Sequence, residues 1–251
     1  MTVSPPRVPS GYRLEALDEV GSTNAVAQER ARAGAASGLW ITARRQAAGR
    51  GRQGRTWTSE PGNLYASLLL RDPVPPARLG ELPLVVAVAL HDAVADLMPP
   101  PLRPGLAIKW PNDLLLGGAK LAGILVEGMT DGTNQTVVIG VGVNCRHHPE
   151  GTDYAATDLA AAGVPTEPEA MFERLASRLA ERLDAWRSGP FDAVRAAWLS
   201  RARGIGEPVK VRLPRGTLDG TFEALDAEGR LVLRLADGRL ETISAGDVFF
   251  G

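Results

Sequence analysis

The chain has 251 residues with 28 basic and 29 acidic side chains, a formal charge of −1. That length suits one large domain and a small one with a real core, and near-neutrality excludes a global field advertising a polyanionic partner. At 44% hydrophobic and 23% charged residues it reads as globular rather than disordered, and its longest strongly apolar run, Leu84–Leu90, is far too short to span a bilayer.

In chain order, the proline-rich first ten residues read as a loose tail without a charged-then-apolar leader, so secretion is not expected. Tyr12–Val20 alternates as a strand. Thr23–Ala33 follows as a helix, with Ser22 as its N-cap and Gly34 past its end. Leu39–Ala43 is a short strand running into an aperiodic loop, ARRQAAGRGRQGR. Asn63–Arg71 is a strand, and Leu79–Leu97 an apolar-periodic helix with Pro83 near its first turn. Leu106–Trp110, Asp113–Leu116 and Leu121–Glu127 read as strands, the last two joined by Gly117-Gly118 as a hairpin. Gln135–Val143 is a β-branched, buried strand, and Glu167–Trp186 and Phe191–Arg201 are helices. From Gly204 short strands with Gly turns recur about every ten residues, the pattern of a small barrel, which sets a domain boundary near Arg203 (1–203 and 204–251).

Arginines 44, 45, 50, 52 and 55 share one acid-free segment with Gly49, Gly51 and Gly54. Three readings compete for it: a solvated basic loop, a G-x-G-x-x-G dinucleotide fingerprint, and a flexible anion-binding loop over a small ligand. The fingerprint needs a helix directly afterwards, which TWTSEPGN does not start. Only three of the 28 basic residues are lysines, and two of them, Lys109 and Lys120, lie 11 residues apart. Lys109 and Asp113 flank a Pro111 turn at the mouth of the sheet. The pair suits phosphate charge, a metal ion or proton abstraction, or else is an ordinary surface ion pair worth about 0–1 kcal/mol. Alternation sets Lys120 on the face of Ala122, Ile124 and Val126, or splays it at the hairpin end. The glycines of Gly140-Val141-Gly142 invite a flat group or another backbone, and Asn144 could read a purine edge. Cys145, the single cysteine, reads as a buried filler and fits a reducing compartment; His147 and His148 lack metal-ligand spacing. A nucleic-acid-binding alternative needs a broad basic face with interleaved aromatics, and the chain offers one loop and 5% aromatics.

Ser22-Thr23-Asn24, Gln46 with GRGRQGR and Trp57, KWPNDL with KLAGIL, then GVGVN, in this order and spacing, resemble the biotin–protein ligases over nearly the whole chain. The resemblance implies an α+β fold: a mixed-sheet catalytic domain of the biotin/lipoyl ligase type and a C-terminal SH3-like β-barrel. It implies activation of biotin by MgATP to biotinoyl-5′-AMP, then transfer to a lysine of a biotin carboxyl carrier domain of acetyl-CoA carboxylase or another biotin-dependent carboxylase. By the same likeness biotin is held by Ser22, Thr23, Asn24, Gln46, Arg50, Gly51, Arg52 and Lys120. ATP is held by Arg50, Arg52, Arg55, Trp57, Lys109, Asn112 and Asn144. Lys120, Lys109, Asp113 and Arg52 carry the chemistry, Asp113 helping the incoming lysine lose its proton. Mg2+ accompanies ATP with its ligands unassigned. Only 21 residues precede Ser22, fewer than a helix-turn-helix needs, so a cytoplasmic ligase without DNA or membrane partners is expected, and a homodimer is compatible.

Overall fold

The computed structural model describes residues 6–131 and 134–250. Seven strands form one mixed sheet: β1 (Arg13–Val20), β2 (Leu39–Gln46), β3 (Leu64–Arg71), β4 (Leu106–Lys109), β5 (Asp113–Leu116), β6 (Ala119–Asp131) and β7 (Asn134–Val143). Their order is β1-β2-β3-β7-β6-β5-β4. Only β1 and β2 run parallel, because α1 (Thr23–Arg32) crosses between them; every other pair is antiparallel.

The apolar runs of β3 and β7 mark the centre of the sheet, where both faces are covered. Leu64, Ala66, Leu68 and Leu70 pack with α2 (Leu82–Leu97) and α3 (Pro168–Ser188) in the main core. Leu69, Ile41 and Val138 instead join Ala27 and Ala31 of α1 in a second, smaller cluster on the opposite face. The period-2 alternation of β3 therefore turns Tyr65 and Ser67 toward α1, the face that carries the site.

Several boundaries move. The expected Leu79–Leu97 helix is a 3-10 turn, Pro76–Glu81, followed by α2, with Pro83 in the first α-helical turn. β2 runs three residues further than its sequence signal, so Arg44, Arg45 and Gln46 belong to a strand. Ser22 stands at the N-cap position with extended backbone but makes no capping hydrogen bond, contrary to the expected cap. α4 (Phe191–Leu199) leads into a five-stranded antiparallel sheet: β8 (Pro208–Leu213), β9 (Gly216–Leu225), β10 (Leu231–Arg234), β11 (Leu240–Ile243) and β12 (Asp247–Phe250). The short β12 had no separate sequence signal. Among the described residues no helix is long and apolar enough to cross a membrane.

Candidate active site

An open cleft lies on the α1 face of the sheet, between the start of α1, the arginine loop, and the β5–β6 hairpin. Its inner end is neutral. Ser22, Thr23 and Asn24 are buried where α1 begins. Gln46, the last residue of β2, accepts at Oε1 from the Thr23 N–H at 2.9 Å and lies 3.1 Å from the Thr23 hydroxyl. Its Nε2 donates to Ser59 Oγ at 2.9 Å, and Ser59 donates to the Trp57 carbonyl. The chain's uncharged polar groups are thus tied to the base of the loop.

The glycines of β6 and β7 form the floor. Gly123 and Gly142 stand opposite each other in adjacent strands, and the flat group on them is the Trp57 indole. A Cβ added to Gly142 would lie 2.6 Å from that ring, and one on Gly140 only 2.3 Å from Asn24 Oδ1. The indole Nε1 is buried without a partner among the described residues.

The basic segment is not an aperiodic loop. Trp57 N–H donates to the Gly49 carbonyl and Gly51 N–H to Arg55, closing a small hairpin-like turn. Its tip uses left-handed Gln53 (φ 56°) and Gly54 (φ 73°), and no α-helix follows, so the dinucleotide fingerprint lacks its structural context. Arg44 and Arg45 face Asp18 and Glu19 of β1, whereas the three arginines of the turn meet oxygens of distant segments. Arg50 donates to Glu127 at 3.1 Å and Arg52 to Asn112 Oδ1 at 2.8 Å. Arg52 also reaches the Gly246 carbonyl at 3.4 Å, and Arg55 pairs with Asp247 of β12. Burial lowers the Arg52 guanidinium from its ordinary value, against the raising effect of Asp247 and Asp113. The hydrogen bond to Asp247 holds Arg55 above its own.

Lys120 differs from simple alternation. Leu115 pairs with Lys120 but Leu114 with Ala122, so Leu121 is an extra residue, a bulge. The bulge re-aims Lys120 away from the buried face of Ala122 and beside Gly123, whose added Cβ would meet its Cε at 3.5 Å. There its ammonium stands 2.8 Å from Asp113 Oδ1, with the angles of an ion pair rather than an aligned hydrogen bond. It is also 5.5 Å from the Trp57 ring and 5.2 Å from Tyr154. Asn112 locks the preceding turn by donating to the Ile124 carbonyl at 2.8 Å.

Two expected residues stand apart from the cleft. Lys109 does not line it: its ammonium lies over Phe249 (5.4 Å) and Phe250 (5.9 Å) of β12. Burial lowers its pKa, with Asp113 opposing the shift. Asn144 is buried and donates to the Thr157 carbonyl at 3.0 Å; it borders a smaller pocket that Trp57 and Lys120 also line. Cys145 is fully buried, its thiol pushed up to about 12 by burial. His147 hydrogen-bonds to Pro61 and His148 to Asp158, and the described residues contain no cluster of three metal-ligating side chains.

Sequence reasoning missed Ser59, Ser67, Glu127, Tyr154 and Asp247. Ser67 alone carried a signal, a hydroxyl inside an otherwise apolar strand. The others are brought in by pairings between distant segments. The assembled cleft offers neutral hydrogen-bonding groups at one end, cations at the other, and one Lys–Asp pair between them. It can therefore orient a neutral ring whose tail carries an anion and can neutralise phosphate charge beside that anion.

The biotin/lipoate A/B protein ligase family model matches residues 18–144, and the biotin protein ligase C-terminal domain model matches residues 204–251. The chain is 39% identical to a biotin–[acetyl-CoA-carboxylase] ligase of Paracoccus denitrificans, covering 94% of this chain and 99% of that one. It is 40% identical to the enzyme of the same name from Mycobacterium tuberculosis over 95% of this chain and 90% of that one. In three dimensions it matches the biotin protein ligase of Aquifex aeolicus in complex with biotin and ATP, with TM-score 0.80 at 28% identity, covering 94% and 97% of the two chains. The chain belongs to the biotin/lipoate A/B protein ligase family.

Proposed function

We propose that this chain is a biotin–[acetyl-CoA-carboxylase] ligase, activating biotin with MgATP to biotinoyl-5′-AMP and transferring it to a lysine of a biotin carboxyl carrier domain. The observation that carries the reading is the polarity of the cleft. A neutral pocket built on α1 and Gln46 leads to Lys120 and the arginine turn. Biotin has the same polarity, an uncharged ureido head and a carboxylate tail.

In the first step a biotin carboxylate oxygen attacks the α-phosphorus and pyrophosphate leaves with the bonding electrons. Lys120 stands where carboxylate and α-phosphate meet, and its compact ammonium follows charge as it moves between them. Arg50, Arg52 and Arg55 exchange their present acid or amide partners for phosphate oxygens, and the turn shields the mixed anhydride from water. In the second step the carrier lysine attacks the acyl carbon and AMP departs. Asp113, freed as Lys120 turns to the phosphate, takes the amine's proton. Lys109 and Asn144 act at one remove, Lys109 holding β12 against the phosphate end and Asn144 backing the adenine side of Trp57. Mg2+ arrives with the triphosphate as part of the substrate. The chain divides near Arg203, whose N–H still docks on Ile108 of β4. A buried free thiol and a need for ATP suit the cytoplasm.

The test is exchange of labelled pyrophosphate into ATP, with biotin, lipoate or octanoate as the acid. Exchange that requires biotin is expected. Exchange driven equally by the other acids, or independent of acid, would overturn the assignment.

A further inference from the structure

Ser67 lies at the centre of β3, opposite Ile41 of β2 on one side and Gly140 of β7 on the other. It is fully buried and is the only aliphatic hydroxyl between Leu64 and Leu70. Its oxygen stands 2.6 Å from Asn24 Oδ1 and 2.7 Å from Thr23 Oγ1. It does not line the cleft, whereas Thr23 and Asn24 both do.

Counting protons fixes what these groups present. Asn24 Nδ2 donates to the Glu127 carboxylate at 2.8 Å, which sets the amide so that Oδ1 faces Ser67. An amide oxygen only accepts, so the Ser67 proton is committed to Asn24. One hydroxyl proton, that of Thr23, then remains for two oxygens, Ser67 Oγ at 2.7 Å and Gln46 Oε1 at 3.1 Å. Gln46 Oε1 is already supplied by the Thr23 N–H at 2.9 Å. A carbonyl oxygen has two lone pairs, so either oxygen can take the Thr23 proton. Thr23 Oγ1 is left with a lone pair and no free proton, while the second proton of Asn24 Nδ2 has the Leu125 carbonyl at 3.4 Å.

We infer that Ser67 is a positioning residue that holds the Asn24 amide and the Thr23 hydroxyl in the orientation they present to the cleft, so that the inner pocket meets the N–H donors of a ring with fixed oxygen acceptors. The inference rests on the proposed biotin reading, in which the ureido nitrogens are those donors. Ser67 acts through its two neighbours and touches no substrate. Without its proton the Asn24 oxygen loses its buried donor, and the Thr23 hydroxyl loses its nearer partner and is left with Gln46 Oε1 at 3.1 Å.

The experiment is steady-state pyrophosphate exchange by wild type, Ser67→Ala and Ser67→Cys, with KM for biotin and for ATP measured separately and thermal midpoints recorded. Cysteine keeps the volume but is a weak donor, so it separates hydrogen bonding from packing. Both variants should raise KM for biotin by roughly three- to tenfold, the scale of one buried hydrogen bond, while KM for ATP and kcat stay within about twofold. A biotin KM unchanged in both variants, or Cys matching wild type while Ala alone is impaired, would overturn the inference. So would equal rises in both KM values. A wild-type chain silent with biotin would overturn the proposed function and this inference together, whereas an active wild type unmoved by either substitution overturns the inference alone.

Discussion

The two ends of the cleft are built by opposite means. At the neutral end, backbone regularity does the positioning: α1 starts at Thr23, β2 ends at Gln46, β3 supplies Ser67, and the side chains, buried at Thr23 and Ser67 and half-buried at Gln46, are bonded to one another. At the cationic end, long side chains do it. Arg50, Arg52 and Arg55 rise from one short turn and are held by Glu127, Asn112, Gly246 and Asp247. The first arrangement is ready for a ligand as it stands. The second must exchange partners when phosphate arrives, and half-exposed ion pairs are cheap enough to exchange. A site that recognises a neutral head and an anionic tail needs both, because neutral hydrogen bonds select only when pre-aligned whereas charges attract from a distance.

The comparison breaks most visibly at its junction. Lys120→Ala should lower biotin-dependent pyrophosphate exchange by about a hundred- to a thousandfold, the scale of losing one group that stabilises developing charge. Retained exchange would mean that the arginine turn suffices without Lys120. Next in size, Arg52→Gly removes both of the turn's contacts to Asn112 and Gly246. Exchange should fall by roughly ten- to a hundredfold, and free adenylate and indiscriminate lysine labelling should rise. A tightly retained intermediate would show that the turn is closed by its backbone alone.

Gly142→Ala tests the floor shared by the two ends. Its new Cβ would press within 2.6 Å of the Trp57 indole, so a loss of about 1–3 kcal/mol of stability is expected, read as a lower thermal midpoint. An unchanged midpoint would mean that the indole shifts freely.

The smallest effect belongs to Asp247. Burial would raise its pKa, but the hydrogen bond and charge of Arg55, with Arg52 and Lys109, outweigh that and hold it below the ordinary carboxylate value. The sign follows from linkage: the pair's contribution is fully present above the unfolded carboxylate pKa, about 3.9, and fades as pH falls through the depressed folded value. Asp247→Asn should therefore cost about 0–1 kcal/mol at neutral pH, an amount constant above roughly pH 5 that vanishes in acid. Thermal midpoints of wild type and variant across pH measure it. A difference that grows in acid would contradict the pairing.

Much of this was legible in the residues. Ser22-Thr23-Asn24, the arginine turn, Lys120 and Asp113 all border one cleft, as the resemblance implied. The strand pattern of β3 and β7 announced the centre of the sheet, because burial on both faces demands unbroken apolar runs. Lys109 was less legible. Its neighbourhood in sequence points to the cleft, but its side chain turns to Phe249 and Phe250, more than 100 residues away along the chain. Lys120 was legible as to type but not as to aim, since the bulge at Leu121 is a property of pairing between β5 and β6 rather than of either strand alone.

By itself, the sequence determined the local geometry and the chemical inventory: the periods of strand and helix, the glycines that let an indole and an amide lie flat, and a lysine economy that singled out Lys109 and Lys120. Only the tertiary structure decided which groups meet: Arg55 with Asp247, Arg50 with Glu127, and Ser67 with Asn24. The physical reason is range. Backbone preferences act over a few residues, while hydrogen bonds and ion pairs act over a few ångströms between atoms that strand order brings together. The orientation of the Asn24 amide is such a case, fixed by Glu127 on one side and Ser67 on the other.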